Sequence, residues 1–138
     1  MTDDDFLPKP RAALGPPAPI CWPIYDDEHE QQMIDELTDW VEWVRWRFTL
    51  DYRTIPDCWM QHGPLIEELS ALYTAWQTAY TDLDGSAPLL WMTHFASARD
   101  RLAEWVARTG CRPGEHRQAD GPRRLRWERA RPALTDRS

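Results

Sequence analysis

The chain has 138 residues, enough for one domain and short of two, since single domains cluster at about 100–150 residues. An apolar fraction of 42% with nine tryptophans excludes a wholly disordered chain. A net charge of −7 excludes a protein that simply coats nucleic acid or an anionic membrane.

Residues 1–25 hold six prolines, at positions 8, 10, 16, 17, 19 and 23, and show neither a helical nor a strand period. That predicts an extended arm, disordered up to Pro19. The stretch Ile20-Cys21-Trp22-Pro23-Ile24-Tyr25 differs, because four of its six residues are large and apolar, and it is expected to dock on the domain as an irregular flap. The start, Met1-Thr2-Asp3-Asp4-Asp5, is acidic where a signal peptide carries positive charge. No apolar run approaches the roughly 18 residues that span a bilayer. The expectation is a cytoplasmic protein with no membrane contact.

The first helix is predicted over 27–48. Asp26, Asp27, Glu28 and Glu30 stand at its positive end, and Met33, Leu37, Trp40, Val44 and Phe48 follow the 3–4 spacing of one face. Ile34 and Val41 widen that stripe, while Trp43 and Trp46 lie off its centre. Pro56 and Pro64 bracket a connection. The second helix starts at Pro64 and runs to about Thr81, with a stripe of Leu65, Leu69, Leu72, Trp76 and Tyr80 supported by Ile66 and Tyr73. Ser86 is placed to cap the third helix, predicted over 87–109 with Pro88 in its first turn. Its face reads Trp91, Phe95, Ala98, Leu102, Trp105 and Thr109, and Gly110 stands where a helix stops.

No segment alternates with period two. The expected fold is all-α, an antiparallel three-helix (up-down-up) bundle with a disordered N-terminal arm and an Arg-rich C-terminal tail. In domain terms this means a Pro-rich arm over 1–25, a helical domain over 26–118 and a tail over 119–138. Residues 112–138 carry eight arginines and four acids, so this end is net +4 and residues 1–111 sum to −11.

Three cysteines, Cys21, Cys58 and Cys111, are too few and too oddly numbered for a secreted disulfide scaffold. Two of them stand near histidines, in Cys58-x3-His62 and Cys111-x4-His116. Zinc favours four soft or borderline ligands in a tetrahedron, and short Cys/His spacings let each pair close on the ion from a tight loop. In an up-down-up bundle both pairs fall at one end. The predicted centre is therefore one structural Zn²⁺ held by Cys58, His62, Cys111 and His116. A plain reading stands beside it: Cys58 is a small buried hydrophobe next to Trp59, and His116 an exposed residue of the tail.

Other constellations carry less. His94 is about 25 Å along the third helix from Cys111 and cannot share its ion, so it reads as a packing or hydrogen-bonding residue. His29-Glu30 opens a metalloprotease-like pattern, but its fifth position is Met33 rather than histidine. Asp35, Glu36, Asp39 and Glu42 read as a solvated face. With no phosphate loop, nucleophile elbow or dinucleotide fingerprint, the chain reads as a non-enzyme. In the tail, Arg123, Arg124, Arg126, Arg129 and Arg131 surround Trp127, a composition that can track phosphates and stack on an unpaired base. It equally suits a solvated tail pairing loosely with the acidic body.

The string Ile55-Pro56-Asp57-Cys58-Trp59, followed by His62, Leu65 to Leu72 and Trp76, resembles the family called domain of unknown function 4913. So do Trp91-Met92-Thr93-His94-Phe95 and the run from Trp105 through Cys111 to Arg117. The resemblance spans about residues 30–118. It implies an accessory protein of actinobacteria, their plasmids or phages, and no particular activity. The expected function is that of a non-enzymatic accessory protein whose metal-stapled domain binds a protein partner. The alternative is an accessory nucleic-acid binder acting through the tail.

Overall fold

A computed structural model of the chain describes residues 17–113 and 115–117. Three helices form where the periodicity placed them: α1 over Asp27–Arg47, α2 over Gly63–Thr81 and α3 over Ala87–Thr109. They pack as an all-α bundle. Asp26 caps α1, its carboxylate accepting the His29 N–H at 2.7 Å, and Asp27, Glu28 and Glu30 follow in the first turn. Prolines occupy the first turns of α2 and α3, where a missing N–H leaves no helical bond unmade. Ser86 does not cap α3: its hydroxyl and backbone N–H both donate to the Asp84 carboxylate instead, at 2.7 and 2.9 Å. A short aspartate side chain two residues back outcompetes the helix for that serine. Gly110 ends α3 in the left-handed conformation, at φ 76°.

α2 and α3 form an antiparallel hairpin. Arg101 pairs with Glu68 at 2.8 Å, while further up α3 towards its start the Trp91 indole donates to the Leu72 carbonyl at 3.1 Å. α1 packs across this hairpin through Trp40, which is fully buried and lies 5.3, 6.0 and 6.4 Å, centroid to centroid, from Tyr73, Trp76 and Trp91. Phe48, just past its end, meets Phe95 with tilted rings, centroids 4.5 Å apart. The core is largely aromatic. Leu37, Val41, Val44, Leu65, Leu69 and Leu102 fill the spaces between the rings.

The flap docks as expected. A 3₁₀ turn over Trp22–Ile24 buries Trp22, whose indole donates to the Ser70 hydroxyl at 3.0 Å, and Tyr25 closes over it. Three face assignments shift. Val106 rather than Trp105 continues the buried stripe of α3, because four residues after Leu102 keeps the face that Ala98 and Leu102 set; Trp105 lies on the flank under the Arg108 guanidinium. Tyr80, near the end of α2, is half exposed, its ring 5.3 Å from that of Trp76. Glu36 leaves the solvated face to accept the Tyr73 hydroxyl at 2.6 Å.

Thr49 follows α1 at φ 54°, while Leu50 N–H reaches back to the Arg45 carbonyl at 2.9 Å. This helix end requires a left-handed residue, and a β-branched one is strained there. Thr49 is exposed, so Thr49→Gly is expected to raise the unfolding free energy by up to about 1 kcal/mol, read by chemical denaturation.

Candidate metal centre

The connection from α1 to α2 delivers the first pair. Ile55 and Trp59 are buried and fix this segment to the core. A 3₁₀ turn over Trp59–Gln61 then places Cys58 and His62 one tight turn apart, through Gln61 N–H to the Cys58 carbonyl and His62 N–H to the Trp59 carbonyl. His62 also begins α2, its carbonyl accepting from Leu65 and Ile66. Its backbone is thus fixed by two elements at once.

The end of α3 delivers the second pair. The left-handed Gly110 turns the chain so that Cys111 faces α2, and Thr109 holds it by accepting the Cys111 N–H at 3.0 Å. Arg112 and Glu115 then exchange two backbone bonds of 2.9 and 2.8 Å, a tight turn that brings His116 back over Cys111. The Arg117 N–H donates to the Cys111 sulfur at 3.1 Å. A Cβ on Gly110 would stand 2.9 Å from the Arg117 side chain. Gly110→Ala is therefore expected to cost about 1–2 kcal/mol in unfolding free energy from the left-handed backbone alone. It should also displace Arg117, which a larger thermal shift in metal-loaded than in metal-free protein would register.

The four side chains converge. The ligand atoms of Cys58, His62, Cys111 and His116 all lie within 4.8 Å of one another. His62 Nε2 is 3.5 Å from the Cys58 sulfur and 3.4 Å from that of Cys111, and His116 Nδ1 is 3.5 Å from the Cys111 sulfur. A tetrahedron with Zn–S of about 2.3 Å and Zn–N of about 2.0–2.1 Å has S···N edges of about 3.6 Å. The measured separations are close to those edges. Hydrogen bonding alone explains them less well, because one ring nitrogen directs a single hydrogen bond while His62 Nε2 meets both sulfurs at nearly equal distance.

The environment suits a closed centre. Cys111 and His62 are buried, and Cys58 and His116 half-buried. Burial and the neighbouring Cys111 push the Cys58 thiol up to about 11. Burial would raise Cys111 too, but the Arg117 amide, the Thr109 hydroxyl and Cys58 outweigh it and hold Cys111 below the ordinary thiol range. Left without a cation, the pair shares protons unequally. A divalent ion supplies the charge that lets both sulfurs ionise.

The two pairs meet by a route other than the one first expected. α1 does not end at the centre: Phe48 sits against Phe95, about 21 Å along α3 from Thr109 at 1.5 Å per residue. Residues 49–62 carry the chain back to the start of α2, and only the α2–α3 hairpin brings its two ends together. His94 is exposed. His29 stacks on Tyr25 at 4.3 Å and takes no part. Spacing gave no hint of the Thr109 hydroxyl and Arg117 amide that hold Cys111; both act through backbone turns. Arg123, Arg124, Arg126, Trp127, Arg129 and Arg131 lie outside the described residues.

A separate, mostly apolar cavity of about 340 Å³ is lined by Trp22, Ile34, Leu37, Trp59, Met60 and Ile66 among others. Among the described residues no helix is long and apolar enough to cross a membrane. No family model, curated protein or solved structure matches this chain.

Proposed function

We propose that this chain is a non-enzymatic accessory protein, in which one structural Zn²⁺ staples the α1–α2 connection to the end of α3 and a protein partner is bound on the stapled domain. The convergence of two cysteines and two histidines within 4.8 Å carries this reading. Four protein ligands complete the tetrahedron and leave no position for an activated water, so the ion's role is structural. The cytoplasm, where thiols stay reduced, suits such a centre. The setting of a mobile genetic element rests on the resemblance of the Ile55–Trp76, Trp91–Phe95 and Trp105–Arg117 strings alone.

A partner is supported by side chains at the tip of the hairpin. Leu83, Leu89 and Leu90 are largely exposed and Tyr80 and Met92 partly so, on the turn between α2 and α3 and the helix ends that flank it. Apolar side chains gathered at one end of a small domain are a common mark of a binding surface. The tip lies at the opposite end of the hairpin from the metal centre, so occupancy of one leaves the other open.

Cobalt substitution tests the ligand set. Co²⁺ added to the full chain should give visible bands of a tetrahedral site together with thiolate charge-transfer absorption, displaced by one equivalent of Zn²⁺. An octahedral, thiolate-free spectrum would refute the four-ligand centre. For the partner, salt-dependent binding of the full chain to DNA that vanishes on removal of residues 117–138 would favour the nucleic-acid reading instead.

A further inference from the structure

We propose that Cys58 and Cys111 are an oxidisable dithiol, which peroxide converts to a disulfide with release of the ion. This inference rests on the metal reading for the ion, while the disulfide itself requires only the two sulfurs. They come from segments 53 positions apart in sequence (111 − 58), yet lie within 4.8 Å of each other. Neither cysteine is inside an α-helix: Cys58 precedes a 3₁₀ turn and Cys111 follows the left-handed Gly110. The sulfurs can therefore close to the roughly 2.05 Å of a disulfide by local loop movement, without breaking a helix.

The two sulfurs have different exposure, and this sets their order of reaction. Cys58 is half-buried, whereas Cys111 is buried and accepts the Arg117 N–H at 3.1 Å. Cys58 is the sulfur that peroxide reaches. Its thiolate attacks one peroxide oxygen, the O–O bond breaks, and with one proton taken up the products are a sulfenic acid and water. The Cys111 thiolate then attacks the Cys58 sulfur, the S–O bond breaks, and a second proton leaves with the hydroxyl as water. The sum is two zinc-bound thiolates, one hydrogen peroxide and two protons giving one disulfide, two waters and free Zn²⁺. Two electrons pass from the two sulfurs to the peroxide.

The disulfide joins the same two segments as the ion. Oxidation thus frees His62 and His116 and loosens the turn over residues 112–116, while the chain stays cross-linked. Cys21 is exposed and outside this cluster, so it makes an internal comparison.

The test uses full-length Cys21→Ser protein loaded with zinc and treated with hydrogen peroxide in the presence of a metallochromic dye. Expected are release of one zinc per chain, a mass lower by two hydrogens in the metal-free denatured chain, and a non-reduced peptide joining Cys58 to Cys111. Reductant followed by Zn²⁺ should restore the starting protein. Zinc release accompanied by sulfinic acids and no cross-link would overturn the dithiol, as would retention of zinc under peroxide that fully oxidises Cys21 in the unsubstituted chain. Protein that never takes up zinc but forms the Cys58–Cys111 link would refute the metal reading and the release step, leaving the dithiol standing.

Discussion

Trp40→Ala is expected to cost about 3–5 kcal/mol of unfolding free energy, the range for emptying a large aromatic site. Trp40 is fully buried and is the ring through which α1 reaches both other helices, touching Tyr73 and Trp76 on α2 and Trp91 on α3. Its removal takes away dispersion contacts on three sides and leaves a space that the flanking rings cannot fill without leaving their rotamers. Trp105→Ala should cost clearly less, because that ring is only partly buried, with the Arg108 guanidinium 5.0 Å from its centroid. Denaturant titration of the two variants side by side would decide the matter; equal losses would mean that α1 is not held by Trp40.

Removal of the proposed ion is the second large effect expected. Where free zinc stands about a thousandfold above its dissociation constant, linkage gives about 4 kcal/mol of stability, worth about 15–30 °C in melting temperature for a domain of this size. Chelation or Cys111→Ser should remove that increment and leave a folded but looser domain, since the aromatic core stands without it. Hydrogen exchange should rise in residues 50–63 and 110–117 together. Exchange confined to one of those segments would contradict a shared ligand.

Acid acts in the same direction. The proposed ion would hold both thiols ionised and both imidazoles neutral, so the loaded state would have shed protons that the unfolded chain binds at low pH. The metal's contribution is therefore expected near neutrality and should be lost as pH falls. Because burial pushes the metal-free Cys58 thiol up to about 11, loading at neutral pH must also expel its proton.

Much of the fold was legible because its signals are local. The 3–4 spacing of Leu37, Trp40 and Val44, the first-turn prolines and Gly110 each act within a few residues, and the helix limits came out within one residue of those expected. Rotational detail was harder: Val106 and Trp105 are both apolar neighbours, and only packing selects which one faces the core. How α1 sits on the hairpin was not legible, because that depends on which aromatic rings interlock. The metal pairs were legible as spacings, and their meeting was anticipated for an incomplete reason, since the hairpin alone brings them together. Thr109 and Arg117 escaped notice because a hydroxyl and a backbone amide leave no spacing pattern.

The most direct test of the four-residue centre is the metal content of the full chain, purified without added chelator, measured by elemental analysis beside protein concentration. One zinc per chain is predicted, falling to near zero in a Cys58→Ser, Cys111→Ser double variant and unchanged in Cys21→Ser. A folded chain that carries no zinc, binds none when it is supplied, and shows the same melting temperature with and without chelator would contradict it.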